Sequence, residues 1–176
     1  MGSMVRTVLV GERPQEVEDL LARRRALGQD LFDEVWEGEC HVAPAPHWRH
    51  SRVDNQLARL LGPRADAAGL LGTGPCNIGT PANYRVPDQA YFAAPESQAF
   101  NQSAVVVVEI VSPGDESRMK FDFYFGIGVD EVLVIDPEQR TVEWFVRSAG
   151  GFVPASESAR LGLSADELAT SIDWPQ

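Results

Sequence analysis

Residues 104–111 read AVVVVEIV, an unbroken apolar run from Ala104 to Val108 followed by Glu109, Ile110 and Val111. β-Branched side chains are stiff at χ1 and suit extended backbone. A run with no polar alternation predicts a strand buried on both faces, the interior of a sheet covered on each side. Glu109 is its only charge. A carboxylate in such a place sits at the rim of the sheet or against a cation, because burying it alone is too costly.

Downstream, SPGDE (112–116) turns the chain into a predicted helix over 117–127, closed by Gly126 and Gly128. DEVLVID (130–136), PEQR (137–140) and TVEWFVR (141–147) form a hairpin signature. A short strand at Phe152 and a helix from Ser164 complete the tail. Upstream, YRVPDQAYF (84–92) is a strand interrupted by Pro87 and resumed at Ala90, and 62–83, rich in Gly and Pro, reads as strands joined by turns. A helix is predicted over 47–61, with Val53, Leu57, Leu60 and Leu61 as its apolar stripe, after the break at Pro44-Ala45-Pro46. Two strands, 31–36 and 39–43, flank a turn at Glu37-Gly38. A first helix over 14–27 carries Val17, Leu20, Leu21 and Leu27 on one side and is stopped by Gly28. This alternation predicts the α/β class, a mixed sheet with helices on both faces, in a single domain over 4–176. Residues 1–3 look like a cloning remnant.

With 44% apolar and 23% charged residues the composition is that of a globular chain. No apolar run approaches the ~20 residues of a membrane span. Cys40 and Cys76, far apart and without companions, predict reduced thiols and a cytoplasmic protein. The net charge of -11 opposes a globally basic nucleic-acid surface and leaves only local patches of arginine for that role.

Fourteen of the fifteen Lys and Arg residues are arginine, and Lys120 is the sole lysine. At 100° per residue it lies on the apolar stripe of its helix, between Phe123 and Tyr124. A lysine there either snorkels to water or meets a carboxylate. Glu109 and Asp88, the latter just after Pro87, are the natural partners. Two carboxylates from neighbouring strands would hold Mg²⁺ (or Mn²⁺), a hard cation that keeps several waters. The adjacent lysine would orient a water or stabilise negative charge in a transition state.

VPD (86–88), then, about twenty residues on, VVVVEIVSPGDESRMKFDFYFGIGVDEVLVIDP (105–137) closely resembles the Uma-type restriction endonuclease family of the PD-(D/E)XK superfamily. WEGECHVAPAP (36–46) with His50 resembles that family's entry strand and second helix. The resemblance implies a restriction-endonuclease-like mixed β-sheet flanked by helices and a Mg²⁺-dependent endonuclease that hydrolyses phosphodiester bonds of DNA. It also implies catalytic roles for Asp88, Glu109 and Lys120. Val111 stands where the superfamily's acid–x–lysine pattern has its lysine, and the family is understood to supply that lysine from the following helix, where Lys120 matches. The superfamily often adds an acid near its first helix, for which Glu34 or Glu37 is a candidate.

His50 shares the inward stripe of Leu57 and Leu61, so it is either a supporting site residue or a satisfied core histidine. Cys40-His41 with His47 and His50 is a weak zinc pattern lacking a second thiol. Arg49, Arg52 and Arg59 form the one basic strip to offer DNA, or else an ordinary solvated face. A hairpin carrying Trp144 and Phe145 in an exposed position would offer a homodimer face. The function class opposed to the nuclease is a catalytically silent binding or scaffolding module on the same fold, which the acidic charge favours.

Overall fold

The computed structural model describes residues 7–9, 11, 13–94, 99–112 and 116–175. The suggested remnant at 1–3 and the centre of the 112–116 turn lie outside them. The chain runs through β1 (Thr7–Leu9), α1 (Gln15–Ala26), β2 (Glu34–Trp36), β3 (Glu39–Val42), α2 (Trp48–Ala67), β4 (Leu71–Thr73) and β5 (Asn77–Thr80). It continues through β6 (Asn83–Arg85), β7 (Gln89–Phe92), β8 (Phe100–Asn101) and β9 (Val106–Ile110). A 3₁₀ turn (Ser117–Lys120) leads into α3 (Phe121–Gly126), then β10 (Glu131–Asp136), β11 (Thr141–Ser148), β12 (Gly151–Ala155), β13 (Glu157–Ser158), β14 (Leu163–Ser164) and α4 (Ala165–Ser171).

The class is α/β as expected, but the strands form two six-stranded sheets. One has the order β1-β3-β2-β6-β5-β8 and the other β12-β11-β10-β9-β7-β4; β13 and β14 pair separately. β9 is interior, parallel to β10 and antiparallel to β7, and all five of its residues are buried. Strand alternation sends Val106, Val108 and Ile110 to the side packed by Val53, Leu57 and Leu61 of α2 and Leu168 of α4. Val107 goes to the opposite side, against Tyr124 of α3. Glu109 has the parity of Val107, so it too faces α3.

Val86-Pro87-Asp88 is where the chain leaves the first sheet and enters the second. The proline removes an N–H where neither ladder needs one, and it keeps Val86 extended. Gly79 allows a close approach: its φ is +120°, and an added Cβ would stand 2.4 Å from the Asn83 carbonyl oxygen and 2.8 Å from the Phe123 ring.

Two local expectations are corrected, and the stripe of α1 finds no partner among the described residues. α2 does not stop at Leu61 but continues through Gly62 and Pro63 to Ala67. Pro63 is exposed, so water can replace the hydrogen bond its missing N–H would have made, while Leu61 and Ala65 on either side are anchored in the core. The apolar stripe of α1 does not enter the core: Leu20 and Leu27 remain 55% and 58% exposed. That helix is tied down instead by the Arg24–Asp33 ion pair, with Nη2 2.9 Å from Oδ1 and Nε 3.2 Å from Oδ2. The β10–β11 hairpin is not exposed, since β12 continues the sheet beyond it and α4 packs on it. Trp144 is fully buried and Phe145 nearly so, so the surface that pointed to a homodimer is interior. Among the described residues no helix is long and apolar enough to cross a membrane.

Candidate active site

Glu109 comes from β9, Lys120 from the last position of the 3₁₀ turn, and Glu34 from β2 of the other sheet. Their side chains meet in a fully enclosed place: Glu34 is 0%, Lys120 2% and Glu109 3% exposed. The Lys120 ammonium donates to both oxygens of Glu109, at 3.0 and 2.9 Å, and lies 2.9 Å from Glu34 Oε1. Glu34 is further held by the Trp36 indole N–H at 2.7 Å and the Val86 amide at 2.8 Å. The Tyr124 hydroxyl donates to Glu109 Oε1 at 2.5 Å.

Asp88 sits beside this group on the 86–88 crossing. Its amide donates to the Val108 carbonyl at 3.0 Å, and its Oδ2 accepts from the Ile110 amide at 2.6 Å. Asp88 is thus tied to β9 on both sides of Glu109, by its backbone amide to Val108 and by its carboxylate to Ile110. Its Oδ1 lies 2.7 Å from His50 Nε2, and His50 Nδ1 is 3.1 Å from Ser112 Oγ. His50 faces inward from the first turn of α2, as its stripe predicted.

The electrostatics follow from three carboxylates sharing one ammonium and one imidazole. Burial pushes the Glu109 carboxyl up, to about 7; Lys120 pulls it back, while Asp88 and Glu34 add to the rise. Burial also holds the Tyr124 phenol well above its ordinary range, and the Glu109 charge reinforces it. Tyr124 therefore stays a donor. Burial alone would lower His50, but the hydrogen bond and charge of Asp88, with smaller contributions from Asp54 and Glu109, leave its pKa raised.

Of the two acids offered as supporting residues, Glu34 joins the cluster and Glu37 does not. Glu37 occupies the left-handed position of the β2–β3 turn, at φ 47°, and reaches out to Arg85 at 3.5 Å. Alternation would have separated them, because Glu34 shares a strand face with buried Trp36 whereas Glu37 lies in the turn. Val111 extends the ladder, its amide donating to the Ile135 carbonyl at 2.8 Å. Sequence reasoning missed the direct role of Tyr124, one turn beyond Lys120 on the same stripe, and Ser117, whose hydroxyl is 3.5 Å from Glu109 Oε2. It also missed Arg85, buried between the Trp36 and Phe123 rings at 4.4 and 4.1 Å. No local pattern marks Arg85; its stack depends on contacts between strands distant in sequence.

The donor chemistry suits one kind of metal. Among the described residues no three His, Cys, Asp or Glu side chains converge as a ready cage for a metal ion. His41 turns to Glu116 at 3.3 Å and stacks on Trp36, while His47 caps α2 by accepting from the Arg49 amide. Two carboxylates, Asp88 and Glu109, fit a hard divalent cation that keeps most of its waters. Arg49, Arg52 and Arg59 are exposed on α2.

Residues 15–170 match the Uma2 family model, described as "putative restriction endonuclease". The chain belongs to this family. The match includes every residue of the cluster. The crystal structure of "a putative nuclease belonging to DUF820" from Anabaena variabilis is similar in fold, with a TM-score of 0.62 over 79% of this chain and 90% of that one. At 16% identity the likeness speaks to the fold alone. No curated protein matches the sequence.

Proposed function

We propose that this family member is a metal-dependent nuclease hydrolysing phosphodiester bonds of DNA, with Asp88, Glu109 and Lys120 as its catalytic residues. The observation that carries the reading is the buried ammonium of Lys120 against Glu109, beside a second carboxylate clamped to the same strand. A purely structural core would bury fewer charges, because replacing such groups by apolar ones is often neutral or stabilising.

Asp88 and Glu109 would hold Mg²⁺ or Mn²⁺. When bound, such an ion lowers the pKa of a coordinated water and offsets charge on a phosphoryl oxygen. The chain's own residues do the positioning. His50 and the Ile110 amide fix the two oxygens of Asp88, so the carboxylate is preorganised. Tyr124 fixes one oxygen of Glu109. Glu34 holds the Lys120 ammonium from a second side, so its N–H groups would be positioned to orient a water or stabilise negative charge in the transition state.

The second reading, a silent scaffold on the same fold, is favoured by the net charge of -11. Supercoiled plasmid incubated with Mg²⁺, Mn²⁺ or EDTA separates the two. The nuclease reading expects nicking by the wild type only with metal, and none by Asp88→Asn. Cleavage that persists in EDTA or in Asp88→Asn would refute this site. A purified wild type inactive on plasmid, single-stranded DNA and RNA would favour the scaffold.

A further inference from the structure

The outward side of α2 carries a feature the cluster does not use. Trp48, in the first turn, is 62% exposed, whereas Trp36 and Trp144 are buried and Trp174 is partly so. Beside it runs a groove of about 490 Å³ lined by Trp48, Arg52, Asn55 and Arg59, with Gln56 and Asp173 closing one side. Such a volume is within the range of ligand clefts. The Arg52 guanidinium lies 5.9 Å from the centre of the Trp48 ring and pairs with Asp173. Arg59 directs Nε to the Asn55 carbonyl at 3.2 Å. Asp173 is fixed by a two-way bond with Gln56: the Gln56 amide donates to the Asp173 carbonyl at 3.0 Å, and the Asp173 amide donates to Gln56 Oε1 at 2.8 Å.

An exposed indole flanked by guanidinium groups on an acidic body has the chemistry of a single-strand nucleic-acid platform. Bases stack on the aromatic face whatever their identity, and arginines meet the phosphates. Resting on the nuclease reading, we infer that this groove binds an unpaired stretch of the substrate strand flanking the cleaved phosphate, with one base stacked on Trp48 and phosphates on Arg52 and Arg59. Position supports the connection. Trp48 and His50 share one helical turn about 200° apart, so a strand passing from Asp88 round the helix end to Trp48 covers roughly one helix diameter, about 10 Å. Asp173 occupies Arg52 in the free protein, so a phosphate must displace it.

The test separates this subsite from the catalytic reading by working without metal. A short oligothymidylate is titrated into the full chain in EDTA, following quenching of tryptophan emission, and plasmid cleavage is assayed in parallel with Mg²⁺. The expected results are quenching in the wild type and about tenfold weaker binding with little quenching in Trp48→Ala, the equivalent of losing one stacked base. Arg52→Ala with Arg59→Ala should lower the log–log salt slope by about 1.4, the value for two phosphates on a single strand. Asp173→Asn, which removes the competing charge, should bind more tightly. All four side chains are at the surface, and circular dichroism of each variant checks that the fold is kept. Unchanged affinity and quenching in Trp48→Ala, or an unchanged salt slope in the double arginine variant, overturns the groove even if plasmid is cleaved normally. Loss of cleavage in Asp88→Asn with oligothymidylate binding intact supports both readings. A wild type that binds at the groove yet never cleaves keeps the groove and removes the nuclease.

Discussion

With Glu34 and Glu109 both within 3.0 Å of one ammonium, replacing Lys120 by methionine leaves two buried carboxylates facing each other without a cation. The length and bulk of methionine match, so packing alone would allow the change, but the charge left behind does not. Lys120→Met should lose about 3–5 kcal/mol, the usual cost of breaking a buried pair by removing one partner. Adding Glu34→Gln to the same chain should recover part of that loss, since one of the stranded charges disappears. Urea unfolding of the two single variants and the double variant gives the coupling directly. An unchanged midpoint in Lys120→Met would mean the ammonium is not held as described. At this scale much was legible in the sequence: a sole lysine on an apolar stripe and a sole charge in an apolar strand singled out two residues that do meet. Glu34 was one of two candidates, and only the placement of its neighbour in a turn separates them. The clamp on Asp88 was not legible, because it is made of the backbone groups of Val108 and Ile110, far along the chain.

Among the elements, strands defined by composition were the clearest. AVVVVEIV is interior, and the 130–147 hairpin has the expected ends. Two helices show the limits of local reading, for different reasons. The end of α2 was placed at Gly62-Pro63 by local propensity, which tertiary anchoring of Leu61 and Ala65 overrides. Apolar spacing marks the stripe of α1 but cannot say whether another element faces it, and no residue of that helix is buried. The strand β5 gives a prediction of its own. Gly79→Ala must adopt a φ that side chains rarely tolerate while pressing its methyl against Asn83 and Phe123. Phe123 in turn supports Arg85. The variant should be less stable by about 3 kcal/mol, measured by chemical denaturation. A loss comparable to that of an ordinary surface substitution would show that the turn relaxes at little cost.

On the scale of the whole molecule, the division into two sheets was beyond the sequence, since strand partners are set by pairings between distant segments and not by local pattern. All three tyrosines of the chain are affected by the resulting burial. Burial pushes the Tyr84 phenol up to about 12, with Cys40 and Asp33 adding to it, and it raises Tyr91 and Tyr124 as well. Above pH ~10 the unfolded chain releases phenol protons that the native one keeps. The unfolded state then binds fewer protons, and stability falls as pH rises. Tyrosinate absorbance should therefore stay low past pH ~10 and appear together with loss of structure by circular dichroism. Phenolate signal rising well before unfolding would show that one of the rings is open to solvent.

The order in which the cluster's residues occur along the chain has a consequence during synthesis. Glu34, Asp88 and Glu109 emerge from the ribosome in that sequence, and the ammonium emerges last. A growing chain that has reached Arg118 carries every carboxylate of the cluster and no lysine at all. The sheets are interleaved as well: β4 and β7 belong to one, while β5, β6 and β8 between and after them belong to the other. All strands of the first sheet have emerged by Asn101, whereas the second must wait for β12 at Gly151–Ala155. In the proposed reading, competence arrives only with this late segment and the docking of both sheets.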